Sequence, residues 1–197
     1  MRNRRSRLSL LQQRIYDRSA AISSIQFIPT LRLHETTKVL ETALIADEQL
    51  RVQSLSQAVV NQICQRLGVR TVRIHVHGVR PSNRRGELHG LYTQYSGGSP
   101  NASIEVWMRT AKRGQVVAFR TFLRTLLHEV CHHLDYTYLQ LRESYHTQGF
   151  FQRESSLFHA LMTPPKTNEA KPTRSLSAMV SKILAERAAQ TNKDHKS

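Results

Sequence analysis

Cysteine is nearly missing from this chain: of 197 residues, only Cys64 and Cys131 are Cys. Two thiols cannot make a disulfide framework, and such usage fits a reducing compartment. Long apolar runs are absent as well. None approaches the roughly 18 residues that a membrane-spanning helix needs. The start, Met1-Arg2-Asn3-Arg4-Arg5-Ser6-Arg7, has no long apolar segment behind its charges and is a poor secretory signal. The expected compartment is therefore cytoplasmic; the Arg- and Ser-rich start, with Asp17 as its first acid, makes mitochondrial import the alternative. No internal repeats occur. The length suffices for one domain with a core of its own.

Acidic residues are the other scarce class. There are 14 against 29 Lys and Arg, a net charge of +15. Residues 1–20 carry six Arg against one Asp, and residues 66–85 carry Arg66, Arg70, Arg73, Arg80, Arg84 and Arg85 with no acid. Clustered positive charge is the electrostatic footprint of a polyanion, most often nucleic acid. Arg80, Arg84 and Arg85 are the expected phosphate contacts. The plainer reading is a generally basic protein whose charge serves no dedicated site, since no base-reading motif accompanies it.

Organisation follows from periodicity. Residues 1–33 read as a basic arm, helical over 8–16. Residues 35–67 read as one or two amphipathic helices, with Leu40, Leu44, Val59, Ile63 and Leu67 on the apolar face and Gly68 as the stop. Val72, Ile74 and Val76 alternate with Arg73, His75 and His77, the pattern of a half-buried strand whose two His face solvent. Residues 81–86 form a basic loop, 88–95 a second strand, 96–101 a Gly/Ser/Pro turn and 103–108 a third strand. Pro164-Pro165 stops the last core helix. A polar linker over 164–174 follows, then a short amphipathic helix bearing Leu176, Met179, Val180, Ile183 and Leu184.

Between the third strand and Pro164 lies the most informative stretch, His128-Glu129-Val130-Cys131-His132. On a helix, positions i and i+4 are about 40° apart around the axis and roughly 6 Å along it, so both imidazoles reach one metal ion. Glu129 then projects towards the remaining coordination position. Two His on Zn²⁺ and a Glu that takes a proton from water held there is the zincin arrangement. A helix is expected beneath the motif. Val116, Val117, Phe119, Phe122, Leu123, Leu126, Leu127, Val130 and Leu134 recur mostly at spacings of three and four, and no Pro or Gly interrupts 115–148.

A catalytic zinc needs a third protein ligand. His146 follows His132 by fourteen residues, in a segment where Gly149 permits a chain reversal. Glu154 follows at the start of a helix expected over 153–162, and would make a His₂Glu site. Asp135 lies seven residues after His128 and three after His132. It either accepts the second N–H of a ligating imidazole or is an ordinary exposed Asp. His133 points away from the pair and takes a packing or solvated role. Cys131 shares the core-facing side with Leu127 and Leu134. Tyr136, Tyr138 and Tyr145 each place a phenol within reach of an oxyanion role or of plain packing.

Leu127-His128-Glu129-Val130-Cys131-His132 followed by His146-Thr147-Gln148-Gly149-Phe150 resembles the SprT/Spartan and WLM metallopeptidases, which pair an HExxH helix with a downstream His and a Phe four residues later. Gly90-Leu91-Tyr92 and Ser103-Ile104-Glu105-Val106-Trp107 resemble that family's short strands. The resemblance spans roughly residues 70–160. It implies that His146 is the third ligand, that 104–107 offers a free strand edge to an extended substrate, and that protein adducts or DNA-bound proteins are the substrates. SprT-type proteins often add a Cys-rich zinc ribbon, which two Cys cannot supply.

The expected fold is therefore α+β: an N-terminal helical segment, a small twisted sheet and the motif helix, in a zincin-like domain over 34–163. The expected function is zinc-dependent hydrolysis of peptide bonds, with nucleic acid as a partner and no membrane. Two alternatives are a basic nucleic-acid-binding protein whose zinc site is structural or vestigial, and a regulatory protease of a repressor or toxin system.

Overall fold

Among the described residues, five α-helices and a three-stranded mixed sheet build a mixed α+β arrangement. The computed structural model describes residues 4–84, 86–94 and 102–163, all within one compact unit, Met1–Pro165. The turn over 96–101, Arg85, the linker over 164–174 and the tail helix lie outside the described residues.

A short 3₁₀ turn (Arg4–Arg7) leads into α1 (Leu10–Ala21), which Ser9 and Gln12 start with a reciprocal capping box. Helix α2 (Leu31–Ile45) starts on the Thr30 side chain, inside the stretch expected to be an arm. Residues 35–67 hold two helices, because Asp47 breaks the run with a positive φ of 61° before α3 (Gln49–Leu67). Gly68 ends α3 in the left-handed conformation at φ 67°, where a side chain would be strained. The basic arm is not a separate segment. Ser19 of α1 is fully buried, and Arg153 donates to the Ser19 and Ile22 carbonyl oxygens at 2.8 and 2.6 Å.

Strand β1 (Arg73–Val79) pairs in parallel with β5 (Ser103–Arg109), and β4 (Gly90–Thr93) pairs with β5 antiparallel. The loop over 81–86 contains a minimal hairpin, β2 (Ser82–Asn83) with β3 (Gly86–Glu87). The order β1-β5-β4 puts β5 in the centre, which corrects the free edge expected at 104–107. Near-continuous burial along β5 has the same cause: the strand is enclosed by two others and covered by helices.

The β1 edge is closed by side chains. Gln49, Gln53 and Gln57, spaced four residues apart along α3, donate to the carbonyls of Val76, Ile74 and Val72 at 2.9, 2.5 and 2.9 Å. Gln53 and Gln57 also accept from the N–H groups of Val76 and Ile74, at 2.6 and 2.8 Å. The carboxamides of Gln53 and Gln57 thus each replace a neighbouring peptide group.

Helix α4 (Phe119–Thr137) carries the motif and packs on β4 and β5 with Leu123, Leu126, Leu127 and Val130 fully buried. It is shorter than the uninterrupted stretch suggested. Val116 bridges to Arg109, and Leu139 N donates to Leu134 O before Gln140 turns at φ 55°. Helix α5 (Gln148–Met162) begins on the Thr147 side chain, five residues earlier than expected. Gly149 lies inside it rather than in a reversal, and the carbonyls of Ala20 and Ile22 would stand 2.6 and 2.7 Å from a Cβ there. No helix among the described residues is long and apolar enough to cross a membrane.

Candidate metal centre

Helix α4 presents His128 and His132 one turn apart, and the segment before α5 brings His146 up to them. Nε2 of His146 stands 2.9 Å from Nε2 of His128 and 3.0 Å from Nε2 of His132. The three rings lie close enough to hold one metal ion. A tetrahedral zinc with Zn–N bonds of 2.0–2.1 Å places its nitrogens about 3.3 Å apart; the two distances to His146 fall a few tenths of an ångström short of that, and all three ligand atoms lie within 4.8 Å of one another. Among the described residues, His75 and His77 belong to no such group. His77 pairs with Glu105 at 2.9 Å and stacks on Trp107.

The rings are aimed from behind. His128 Nδ1 meets Glu154 Oε2 at 3.0 Å, so Nδ1 carries the proton and Nε2 keeps its lone pair for a cation. Glu154 therefore orients the His128 ring. Its other oxygen accepts from Arg124 at 3.4 Å, and Arg124 lies over the Phe158 ring at 4.1 Å.

His132 Nδ1 meets Ser144 Oγ at 2.7 Å, and Ser144 donates to Asp135 Oδ2 at 2.7 Å. With its hydrogen committed to Asp135, the hydroxyl accepts from Nδ1–H, which leaves Nε2 of His132 free as well. Asp135 thus reaches the imidazole through Ser144, not directly, and it is fully buried rather than exposed. Its second oxygen accepts from Arg153 at 2.8 Å. Burial pushes the Asp135 carboxyl up, against the pull of Ser144 and Arg153. Burial, with the neighbouring imidazoles His128 and His146, pushes His132 down to about 3 and keeps it unprotonated.

Phe150 forms the floor. Its ring centroid lies 4.9, 4.7 and 5.1 Å from those of His128, His132 and His146, and it is fully buried. Phe151, half exposed, stacks on the outer side of His146 at 5.7 Å.

Glu129 is 6% exposed. Burial raises its carboxyl to about 7, against a lowering by His128 and by a hydrogen bond from the Tyr92 backbone. Strand β4 makes this approach because residue 90 is Gly: a Cβ there would stand 2.5 Å from Glu129 Oε1 and 2.9 Å from Thr125 Cγ2. The cleft in front of Glu129, about 320 Å³, is lined by His89, Gly90, Arg124 and Thr125 together with His128 and Glu154.

The remaining candidates fall elsewhere. His133 is buried, and its Nε2–H donates to Arg70 O at 2.7 Å, which is a packing role. Cys131 is buried in the core. Tyr136 stacks on Tyr92, Tyr138 caps α4, and the Tyr145 hydroxyl bonds to Glu143. A further phenol beside the trio is Tyr92, whose ring stacks on His132 at 6.4 Å; no periodic signal marked it. Of the expected phosphate contacts, Arg84 is exposed, but Arg80 is only 6% exposed and faces Glu87 at 3.7 Å. Its backbone N–H donates to Arg109 O and holds it at the sheet, which turns a surface cation into a buried one.

Comparison with protein-family models, curated proteins and solved structures gives no match to this chain.

Proposed function

We infer that the chain is a zinc-dependent hydrolase of peptide bonds. The observation carrying this reading is the convergence of three imidazole Nε2 atoms beside a buried carboxylate at the wall of an open cleft. Three His and an open side form the donor set of a catalytic zinc rather than a closed structural one. His128, His132 and His146 would hold the metal. When bound, it supplies a Lewis acid for the scissile carbonyl and acidifies the attacking water.

Glu129 takes the proton from that water and delivers it to the leaving amine. A carboxyl raised towards neutrality by burial suits both halves of the transfer. Glu154, and Ser144 with Asp135, fix the two helix imidazoles in the tautomer that leaves Nε2 unprotonated. Strand β4 is the outer strand beside Glu129 and lines the cleft at Gly90, so an extended substrate would pair along it, a role moved here from 104–107.

The exposed Arg66, Arg70, Arg73 and Arg84 support substrates associated with nucleic acid. The two free, buried thiols agree with a cytoplasmic, reducing setting. The SprT/WLM resemblance of the motif points the same way.

Elemental analysis tests the centre: about one zinc per chain is expected. His146→Ala should lower affinity far more than Glu154→Ala, because removing a ligand costs more than removing the group that orients one. The reverse order would make Glu154 the ligand. Glu129→Gln should retain zinc and fold but lose hydrolysis. Wild-type cleavage by that variant would remove the assigned base, and full biological activity would favour a nucleic-acid-binding protein instead.

A further inference from the structure

Ser19, at the C-terminal end of α1, touches two routes to the imidazole trio. The last carbonyls of a helix lack internal partners and carry its negative pole. Here they are taken by a side chain from another helix: Arg153 Nη1 donates to Ser19 O at 2.8 Å and Ile22 O at 2.6 Å. Arg153 Nη2 reaches Ser19 Oγ at 3.2 Å and Asp135 Oδ1 at 2.8 Å. Both partners of the Arg153–Asp135 pair have fully buried side chains. From Asp135 the path runs through Ser144 Oγ to His132 Nδ1, two steps of 2.7 Å each.

The second route is shorter. Ser19 Oγ lies 3.1 Å from Thr147 Oγ1, and Thr147, next to His146, caps α5 by accepting from Phe150 N at 3.1 Å. Gly149 allows the contact, since the Ala20 and Ile22 carbonyls leave no room for a Cβ. Without α1, the guanidinium would lose every acceptor named here except Asp135. A buried cation so stripped relaxes towards water and takes its carboxylate partner with it.

We propose that the C-terminal end of α1, acting through Ser19 and Arg153, is a positioning element of the metal centre that holds His132 and the His146 segment in their ligating geometry. This rests on the zinc reading above and goes beyond it: the N-terminal segment belongs to the site although none of its residues is a ligand.

The test uses the full chain, with Zn²⁺ affinity measured by chelator competition and the visible spectrum of the Co²⁺-substituted protein as a report on ligand geometry. Arg153→Lys keeps the charge but loses the fork, and should weaken zinc roughly 10- to 100-fold with an altered Co²⁺ spectrum. Ser19→Ala, which removes only the hydroxyl, should weaken it in the same direction. Ser144→Ala should do the same, with Ser144→Thr restoring affinity. Leu44→Ala, fully buried in α2 and off both routes, lowers the melting temperature and should leave affinity and spectrum alone.

Wild-type affinity and spectrum in both Arg153→Lys and Ser19→Ala would overturn the proposal and leave the metal centre standing. So would a Leu44→Ala variant that loses zinc as they do. A wild-type chain that takes up neither ion would remove the centre itself, and the inference with it.

Discussion

Gly90 leaves no space for a side chain because Glu129 occupies it: a Cβ at position 90 would lie 2.5 Å from Oε1 of the carboxylate. The strand therefore passes close enough for the Tyr92 backbone to hydrogen-bond to Glu129, and the proposed general base is held by sheet and helix together. Gly90→Ala should push the carboxylate away from the metal side while the three His stay in place. We expect a loss of about 1–3 kcal/mol in folding stability from overpacking, retained zinc, and roughly 100-fold slower hydrolysis of an unstructured protein substrate, the scale at which a 1 Å misplacement acts. Unchanged turnover would show that the close approach of β4 is packing only.

The burial of Glu129 has a sign that titration can read. Its carboxyl stands at about 7 in the folded chain against 4.5 for the free group. The folded state therefore binds more protons than the unfolded state between these values, and this contribution to stability is present below pH 4.5 and lost as pH rises to 7. In chelator-treated protein, Glu129→Gln removes the effect. The variant should gain on the wild type by up to roughly 3 kcal/mol across that window, since one pKa unit is 1.36 kcal/mol. Denaturant titrations at pH 4.5 and pH 7.5 check it, and parallel curves would mean that the carboxylate is solvated.

Some of this was readable from residues alone. The apolar stripe of α4, the i, i+4 imidazoles and the alternation of β1 are local patterns, and local patterns survive folding. What periodicity could not supply is non-local. That β5 is central depends on β1 pairing with it in parallel across a long connection. Asp135 reaches His132 only because Ser144 comes between them, and a hydroxyl in a loop has no period. Arg153 reads as one more basic residue until α1 docks on it. Arg80 shows the converse: six arginines in a row of twenty looked like one surface, yet one of them is folded inward.

That inward turn separates two effects. Among the described residues, Arg80 Nε and Nη2 are buried with no hydrogen-bond partner, and Glu87 stands 3.7 Å from Nη1. Unsatisfied buried donors cost about 1–3 kcal/mol, while Glu87, with its side chain a third exposed, can be solvated once alone. Arg80→Met should raise the melting temperature and leave any nucleic-acid affinity and its salt dependence unchanged. Neutralising the exposed Arg66, Arg70, Arg73 and Arg84 should instead flatten the log K against log salt slope, by up to about four units if each contacts a phosphate. No measurable binding at low salt would discard the nucleic-acid partner without touching the hydrolase reading.

The glutamines of α3 carry the last prediction. A strand with open N–H and C=O groups recruits other strands, and proteins usually answer with charge, proline or a bulge. This chain answers with carboxamides. Gln53 both donates to Ile74 O and accepts from Val76 N, and so stands in for the missing neighbour. Gln53→Leu keeps the side chain's bulk and removes both bonds. At roughly 0.5–1.5 kcal/mol for each net hydrogen bond, the monomer should lose about 1–3 kcal/mol. The exposed edge of β1 should then drive concentration-dependent association, visible in sedimentation velocity. The three-His cluster lies on the far side of β5 from this edge, beside β4, so zinc affinity should not change. A stable monomer with an unaltered melting curve would mean that water covers the edge as well as Gln53 does.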